Sequence, residues 1–409
     1  MAWVQTASRR IAAAFAEVAR APSAPPDESW AHPEAGVAMS AWGAADVREG
    51  TSLREVLASL EVPADLPRNL PGPWFGATSF SGALGADWKG FAPLRFTLPS
   101  LLAWRDGRRN LLAAFGEGAQ QRLDAQRAAL DGGRRSARSA QAPVRVVHRP
   151  GERARWNALV ARALGEIRSG KLDKVVLARA IDVQSEAPLD PGALLAALEL
   201  RYPTCRSFLL RGEEGAFLGA TPEILCRVDG NRVEADALAG SAAPEDAEKL
   251  ARSGKDLREH RWVVEHIARA LEEVADHIHW PKEPRVRALA NVAHLHTPVI
   301  ARLAPGRGVA DVAAALHPTP AVGGVPSAAA LRFLSAHEDL DRGLYAGLVG
   351  WVGEGRAELA VALRSALVRG NRARLFVGSG IVLGSSPDAE WEETELKARA
   401  LLDALGARP

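Results

Sequence analysis

The spacing of apolar and polar positions predicts both strands and helices in this chain. Near the C-terminus, residues 375–383 are rich in strand formers, and residues 385–388 (Ser-Ser-Pro-Asp) supply the cap and first-turn signals of a helix. A second, longer helix is predicted after Ser253, with Asp256 at capping-box spacing. Its apolar positions follow a 3.6-residue period: Leu257, Val264, Ile267, Leu271, Val274 and Ile278.

Earlier segments add hairpins and shorter helices. Residues 1–20 fit an amphipathic helix, and residues 21–40, rich in Pro, Ala and Ser, should be irregular. Strand patterns flank the turn signals at 106–107 (Asp-Gly) and 229–231 (Asp-Gly-Asn), which indicates hairpins. Further strands are expected at 74–76, 94–98, 174–183, 207–211 and 216–220, and helices at 120–130, 156–167 and 191–200. Hairpins followed by long helices favour an α+β fold with a largely antiparallel sheet.

A polar, turn-rich stretch divides the chain into two parts. Residues 132–143 contain Gly, Arg, Ser and Ala with few large apolar residues, which is typical of a linker. We therefore place a boundary near residue 147, with an N-terminal region of residues 1–147 and a second region of residues 148–409.

The composition of the 409 residues is that of a globular protein, with 47% hydrophobic and 24% charged residues. A net charge of +2 gives no reason to expect nucleic acid or an anionic membrane as a partner. Two cysteines are too few for a disulfide framework or a cysteine-based metal site. Without an apolar run of about 20 residues or a leader pattern, we expect a cytoplasmic protein.

The C-terminal helix carries the first candidate site. Glu390, Glu393 and Lys397 are spaced i, i+3, i+7 and therefore share one helix face. Two carboxylates one turn apart can bind a hard divalent cation. The alternative is that these acidic residues only complement the positive end of the helix dipole.

The other candidates are single residues, and for each of them a solvated position without a functional role explains the sequence equally well. Lys174 begins a strand and has apolar neighbours on its own face, so it could be partly desolvated and act as a base, or lie solvated at the strand end. Glu223 starts a hairpin strand, and Glu259 lies on the long helix away from its apolar positions. Both could be solvated. His294 and His317 do not show the spacing of zinc ligands.

Taken together, eight segments in order resemble the chorismate-utilising enzymes, which include isochorismate, salicylate, anthranilate and aminodeoxychorismate synthases. The match covers roughly residues 150–402 and runs through residues 173–179, 219–225, 238–241, 253–260, 317–324, 346–351, 362–364 and 376–397. Residues 74–80, 87–91 and 96–99 more loosely resemble the N-terminal part of menaquinone-type isochorismate synthases.

The resemblance implies an α/β sandwich of two large, mainly antiparallel sheets with flanking helices, to which residues 1–147 contribute strands. It implies chorismate as substrate, Mg²⁺ as cofactor, and an active site between the sheets in residues 148–409. By the same resemblance, Glu259, Glu390 and Glu393 are the metal carboxylates. Substrate-binding positions match Gly240, Ser241, His294, Ala321, Arg364, Gly378 and Lys397.

The same comparison implies a reaction with water. Lys174 matches the general base of isochorismate and salicylate synthases, where anthranilate synthases have Gln. Ala239 stands where some aminodeoxychorismate synthases have a nucleophilic lysine. The implied activity is an isomerase, isochorismate synthase, of menaquinone or siderophore biosynthesis, with Glu223 as general acid. A salicylate synthase and a catalytically silent chorismate-binding protein are the alternatives.

The departures from the family pattern are local. Ala237 replaces a common proline, and Val292-Ala293 precede His294 where an aromatic residue is common. We expect these changes to alter loop shape and leave the chemistry intact. We expect a monomer or weak dimer.

Overall fold

The computed structural model describes residues 11–18, 21–22, 24–63, 66–67, 70, 72–107, 109–132, 143–242, 244–288 and 293–408. Within these ranges, no helix is both long enough and apolar enough to cross a membrane. The predicted linker at 132–143 lies almost entirely outside the described residues, so the boundary near residue 147 stays a prediction.

Twenty-three strands and nine α-helices make up the described chain. The strands are β1 (Ala13–Glu17), β2 (Glu28–His32), β3 (Val37–Trp42), β4 (Asp46–Glu49), β5 (Trp74–Thr78), β6 (Leu94–Leu98), β7 (Leu101–Asp106), β8 (Arg109–Phe115), β9 (Val144–Val147), β10 (Lys174–Ser185), β11 (Arg206–Gly212), β12 (Gly215–Thr221), β13 (Ile224–Asp229), β14 (Arg232–Ala242), β15 (Ala275–His279), β16 (Arg285–Ala288), β17 (Ala293–Leu303), β18 (Gly324–Val325), β19 (Leu348–Gly353), β20 (Arg356–Val361), β21 (Ser365–Arg369), β22 (Arg372–Val382) and β23 (Ala407–Arg408). The helices are α1 (Leu53–Ala58), α2 (Ala119–Gly132), α3 (Glu152–Arg168), α4 (Pro191–Arg201), α5 (Ala247–Arg252), α6 (Gly254–Glu272), α7 (Val309–Leu316), α8 (Ser327–His337) and α9 (Pro387–Leu405).

The strands form two large sheets. The first has the order β1-β8-β7-β3-β2-β11-β12-β21-β22-β10-β9-β23, with β18 paired to β10. The second has the order β15-β17-β14-β13-β20-β19-β5-β6-β4, with β16 paired to β17. All pairings are antiparallel except that of β23 with β9. The predicted sandwich is confirmed, and strands from the N-terminal 147 residues belong to both sheets.

Large apolar side chains from both sheets fill the space between them. Trp30 and Phe208 of the first sheet and Phe75 and Phe96 of the second are buried in one continuous cluster. A second cluster joins α4 and α9 to the outer face of the first sheet, and a third joins α3 and α8 to it. Burial on both faces explains why β10 carries a continuous apolar run from Val175 to Ala178.

Local capping explains where the two site-bearing helices begin. Ser253 accepts a hydrogen bond from the backbone N–H of Asp256 at the start of α6, and Ser386 accepts one from Ala389 at the start of α9. Pro387 occupies the first turn of α9, where its missing N–H costs nothing.

Three sequence expectations are wrong. Part of the helix expected at 1–20 is strand β1, and the rest of that range, apart from residues 11, 12 and 18, lies outside the described residues. The stretch expected to be irregular at 21–40 contains β2 and most of β3, because these short strands pair inside the first sheet. Helix α6 ends at Glu272, so Val274 and Ile278 lie outside the helix although their spacing fits its apolar period. Ile278 belongs to strand β15.

Candidate active site

A cavity lies where the two sheets face each other. Strands β10 and β22 of the first sheet and β14 and β17 of the second supply its walls, together with α6 and α9. Ten predicted site residues line it: Lys174, Glu223, Gly240, Glu259, His294, Ala321, Arg364, Gly378, Glu393 and Lys397.

Lys174 is buried at the first position of β10. Its side chain is 2% exposed, and its Nζ donates to Oε1 of Glu259 on α6 at 2.6 Å. The strand pairs with Val382 on one side and Val325 on the other, which shields the lysine from solvent. The alternative of a solvated strand-end lysine is therefore wrong.

Glu223 lies buried in the cavity wall, in the segment that joins β12 to β13. Burial raises the pKa of its carboxyl from 4.5 to about 7, although the ammonium groups of Lys174 and Lys397 act to lower it. The carboxylate of Asp236 adds to the increase. A carboxyl group with this pKa holds its proton at neutral pH about half of the time, which suits a general acid.

Arg364 and His294 form a pair of one cationic and one neutral side chain in the cavity wall. His294 donates from Nδ1 to the carbonyl oxygen of Gly240 at 3.0 Å, and its Nε2 lies 3.2 Å from Nη2 of Arg364. Burial and the nearby guanidinium lower the pKa of His294 to about 3. Its ring is therefore neutral, with Nε2 as the acceptor from Arg364. The backbone φ of Arg364 is +49°, an uncommon conformation for a residue other than glycine, and directs the residue into this wall.

Helix α9 presents Lys397 and Glu393 to the cavity. The Lys397 ammonium donates to the carbonyl oxygen of Gly378 at 3.0 Å and pairs with Oε1 of Glu393 at 2.6 Å. Glu390 is only 2% exposed, does not line the cavity, and accepts a 2.5 Å hydrogen bond from Ser379. The shared helix face predicted from the sequence is confirmed for Lys397 and Glu393.

The three predicted metal carboxylates are not brought together in this arrangement. Throughout the described ranges, no group of three or more His, Cys, Asp or Glu side chains lies close enough to hold a metal ion. Glu259 and Glu393 do line one cavity, and each accepts a hydrogen bond from a lysine ammonium at 2.6 Å. Two hard oxygen donors suit magnesium, which commonly binds one or two carboxylates together with water and substrate oxygens. The residues therefore fit a two-carboxylate magnesium site, with Glu390 behind it.

Sequence reasoning missed several lining residues. Arg342 makes bidentate contacts to Glu338 and donates to the carbonyl oxygens of Val322 and Val176. Tyr345 stacks on Phe376 with ring centroids 5.3 Å apart, and both line the cavity. No periodicity or motif distinguishes these residues in the sequence. The side chain of Ser241 lies outside what the structure describes.

Gly380 was also missed, although two glycines within a strand pattern are a signal of close approach. A Cβ atom at Gly380 would lie 2.8 Å from Oε1 of Glu259 and 3.0 Å from Cε of Lys174. A methyl group at this position would displace the ends of the Lys174 and Glu259 side chains from their pair. A Cβ at Gly378 would lie 3.0 Å from the hydroxyl of Tyr345.

Comparison with known proteins gives this site a context. The salicylate biosynthesis isochorismate synthase of Pseudomonas aeruginosa is 42% identical over 265 residues, which are 63% of this chain and 56% of that protein. The structure of MenF, the menaquinone-specific isochorismate synthase of Escherichia coli, matches with a TM-score of 0.80 at 28% identity, over 97% of this chain and 94% of that one. Anthranilate synthase component I of Streptococcus pneumoniae shares the fold, with a TM-score of 0.77 at 20% identity over 90% of this chain and 92% of that one.

A family model adds a match over most of the chain. The family described as chorismate binding enzyme matches residues 51–406, which include every residue of the cavity wall. The N-terminal strands from β5 onward are part of that match. The chain belongs to the chorismate-binding enzyme family.

Proposed function

We propose that this protein is an isochorismate synthase, which converts chorismate to isochorismate. The observation that carries the proposal is that Lys174 and Glu223 are both buried in one cavity, with Arg364 and Lys397 beside them. Two of the proteins named above, those of Pseudomonas aeruginosa and Escherichia coli, carry this activity in their names, and the chain spans 56% of the length of the first of them.

The charge of the cavity suits a substrate with two carboxylates. Arg364 can bind a carboxylate through two parallel N–H donors, and Lys397 provides a second cation from α9. His294 uses its neutral ring to hold the guanidinium of Arg364 in place, since its own Nδ1 is fixed by Gly240. The substrate carboxylates would then replace protein and solvent partners of these cations.

The proposed reaction adds water at one ring carbon and removes hydroxyl at another. Lys174 accepts a proton from water while the water oxygen bonds to C2 of chorismate. The ring double bonds shift, the C4–O bond breaks, and Glu223 gives its proton to the departing hydroxyl, which leaves as water. Lys174 ends the cycle protonated and Glu223 ionised, so one proton must return from the first to the second before the next turnover.

The ion pair of Lys174 with Glu259 bears on this step. A base needs a free lone pair on Nζ, so the proton held in this pair must be lost before Lys174 can act. Glu259 and Glu393 would hold Mg²⁺, which when bound would neutralise the ring carboxylate of the substrate.

Water, and not ammonia, is the proposed nucleophile. Lys174 is the proposed base, and Ala239, which lines the cavity with it, offers no amine that could attack the ring. Ammonium salts should therefore give no aminated product.

The test is separation of the products formed from chorismate by liquid chromatography, with Mg²⁺ and with EDTA. We expect isochorismate with Mg²⁺, no product with EDTA, and recovery when Mg²⁺ is restored. Salicylate as the main product would replace the proposal by a salicylate synthase, and an aminated product in ammonium buffer would refute the choice of nucleophile. No turnover under any condition would indicate a chorismate-binding protein without catalysis.

A further inference from the structure

Helix α9 carries two of the proposed site groups, Glu393 and Lys397, and a single arginine of β10 contacts that helix through several bonds. We infer that this residue, Arg179, is a positioning residue for the active site, which fixes α9 against the strand that carries Lys174. The inference rests on the proposed function, because it assigns Glu393 and Lys397 to metal and substrate.

The guanidinium of Arg179 donates hydrogen bonds from its edge and makes a cation–π contact through its face. Its Nε donates to Oγ1 of Thr394 at 2.8 Å, its Nη1 donates to Glu152 of α3 at 2.9 Å, and its Nη2 pairs with Glu395. Its Cζ lies 3.8 Å from the ring centroid of Trp391. Three residues of α9 and one of α3 are therefore held by one buried cation.

The contacted residues form one face of α9, beside the face that meets the cavity. Positions 391, 394 and 395 share a face, whereas Glu393 and Lys397 point to the adjacent one. Thr394, which is fully buried, directly follows Glu393. A rotation or slide of α9 that displaced Glu393 from the cavity would therefore break the contacts of Arg179.

The strand side of the contact is equally close to the chemistry. Arg179 lies on β10, the strand that begins with Lys174, and its neighbour Ala178 pairs with Gly378 of β22. The carbonyl oxygen of Gly378 accepts the hydrogen bond from the Lys397 ammonium of α9. Arg179 thus joins the strand of the base to the helix of the proposed ligand-binding groups.

The role of Arg179 becomes larger when ligands bind. Metal at Glu393 and a substrate carboxylate at Lys397 would compete with the Glu393–Lys397 pair and the Lys397–Gly378 bond that are present here. The contacts of Arg179 involve no group that is proposed to bind ligand. They remain available to hold α9 while the contacts on its cavity face are exchanged.

The test compares Arg179→Met and Arg179→Lys with Arg374→Met as a matched control. Arg374 is a half-buried arginine of β22 that also pairs with two carboxylates, Asp182 and Asp87, but makes none of the Arg179 contacts to α9. The measurements are the dissociation constant of Mg²⁺ by calorimetry, kcat and KM for chorismate at saturating Mg²⁺, and thermal unfolding by circular dichroism.

For folded Arg179→Met we expect the dissociation constant of Mg²⁺ and the KM for chorismate each to rise about tenfold or more, and both to stay within about twofold in Arg374→Met. Arg179→Lys should lie between them, because lysine keeps the charge but cannot make the forked and stacked contacts together.

Several outcomes would overturn the inference. A folded Arg179→Met protein that binds Mg²⁺ and chorismate like Arg374→Met would show that Arg179 only adds stability. A wild-type protein that binds no Mg²⁺ would overturn the inference together with the metal assignment. Wild-type protein that binds Mg²⁺ but forms no isochorismate would refute the reaction alone, since the Mg²⁺ affinities still test Arg179.

Discussion

The buried carboxyl of Glu223 leads to a specific pH dependence. If Glu223 must be protonated to release the hydroxyl, activity requires a pH below or near the pKa of this group, which burial raises from 4.5 to about 7. Raising the pH through 7 ionises the carboxyl and removes the acid. For a fixed protonation state of Lys174, the loss of this acid lowers kcat/KM about tenfold per pH unit above about pH 7.

The size of the effect follows from the shift. At pH 7 about half of the Glu223 carboxyls carry a proton, whereas a carboxyl with a pKa of 4.5 would carry one in only about 1 molecule in 300. The raised pKa therefore increases the fraction of competent acid by about 150-fold at neutral pH. The Asp236 carboxylate contributes to this increase, so Asp236→Asn should move the fall in activity to lower pH.

The assay is the initial rate of isochorismate formation between about pH 5.5 and 9 at fixed ionic strength, for wild type, Asp236→Asn and Glu223→Gln. An amide cannot donate the required proton, so Glu223→Gln should lose about 10²–10⁴-fold in rate and no longer show the fall near pH 7. An unchanged fall near pH 7 in Glu223→Gln would assign the titration to another group. A wild-type profile with the same shape as that of Glu223→Gln across this range would refute the role of Glu223 as acid.

Three further predictions concern the other walls of the cavity. Lys174→Ala should bind chorismate with similar affinity in calorimetry but turn over about 10²–10⁴-fold more slowly in single-turnover experiments. Lys174→Arg should not restore the rate because a guanidinium cannot accept the proton, and near-normal turnover of Lys174→Ala would return Lys174 to a structural role. Gly380→Ala should lose activity but keep its thermal unfolding midpoint within a few degrees, because the added Cβ meets the Lys174 side chain. The control Gly165→Ala, in a helix with open space around it, should be fully active. Nitrogen-15 NMR spectra should show His294 as one neutral Nδ1–H tautomer from about pH 5 to 8, since its pKa is about 3. Protonation of the ring within that range would contradict the hydrogen bond from Arg364 to Nε2.

Sequence patterns predicted the structure correctly where the signal acts within a single helix end or turn. Caps at Ser253 and Ser386 and the turn at Asp106-Gly107 correctly placed two helices and a hairpin, because these signals act within a few residues. The shared face of Glu393 and Lys397 followed from helical spacing alone. Periodicity failed beyond Glu272, where an apolar residue at the right spacing belongs to a strand.

The sequence by itself determined the fold class, the order of most elements and, through resemblance, the identity of the candidate site residues. It left open whether Lys174, Glu223 and Glu259 were solvated, since each lies at an element end or on a polar face. Only the tertiary structure decided this, because Lys174 and Glu259 are 85 residues apart in the chain. They meet because α6, which packs on β14 and β17 of the second sheet, presents Glu259 to the start of β10 in the first sheet. The burial of these side chains, the Lys174–Glu259 ion pair and the raised pKa of Glu223 all depend on groups that are distant in the chain and meet between the two sheets. The pattern of residues along the sequence does not show which of these groups will be neighbours.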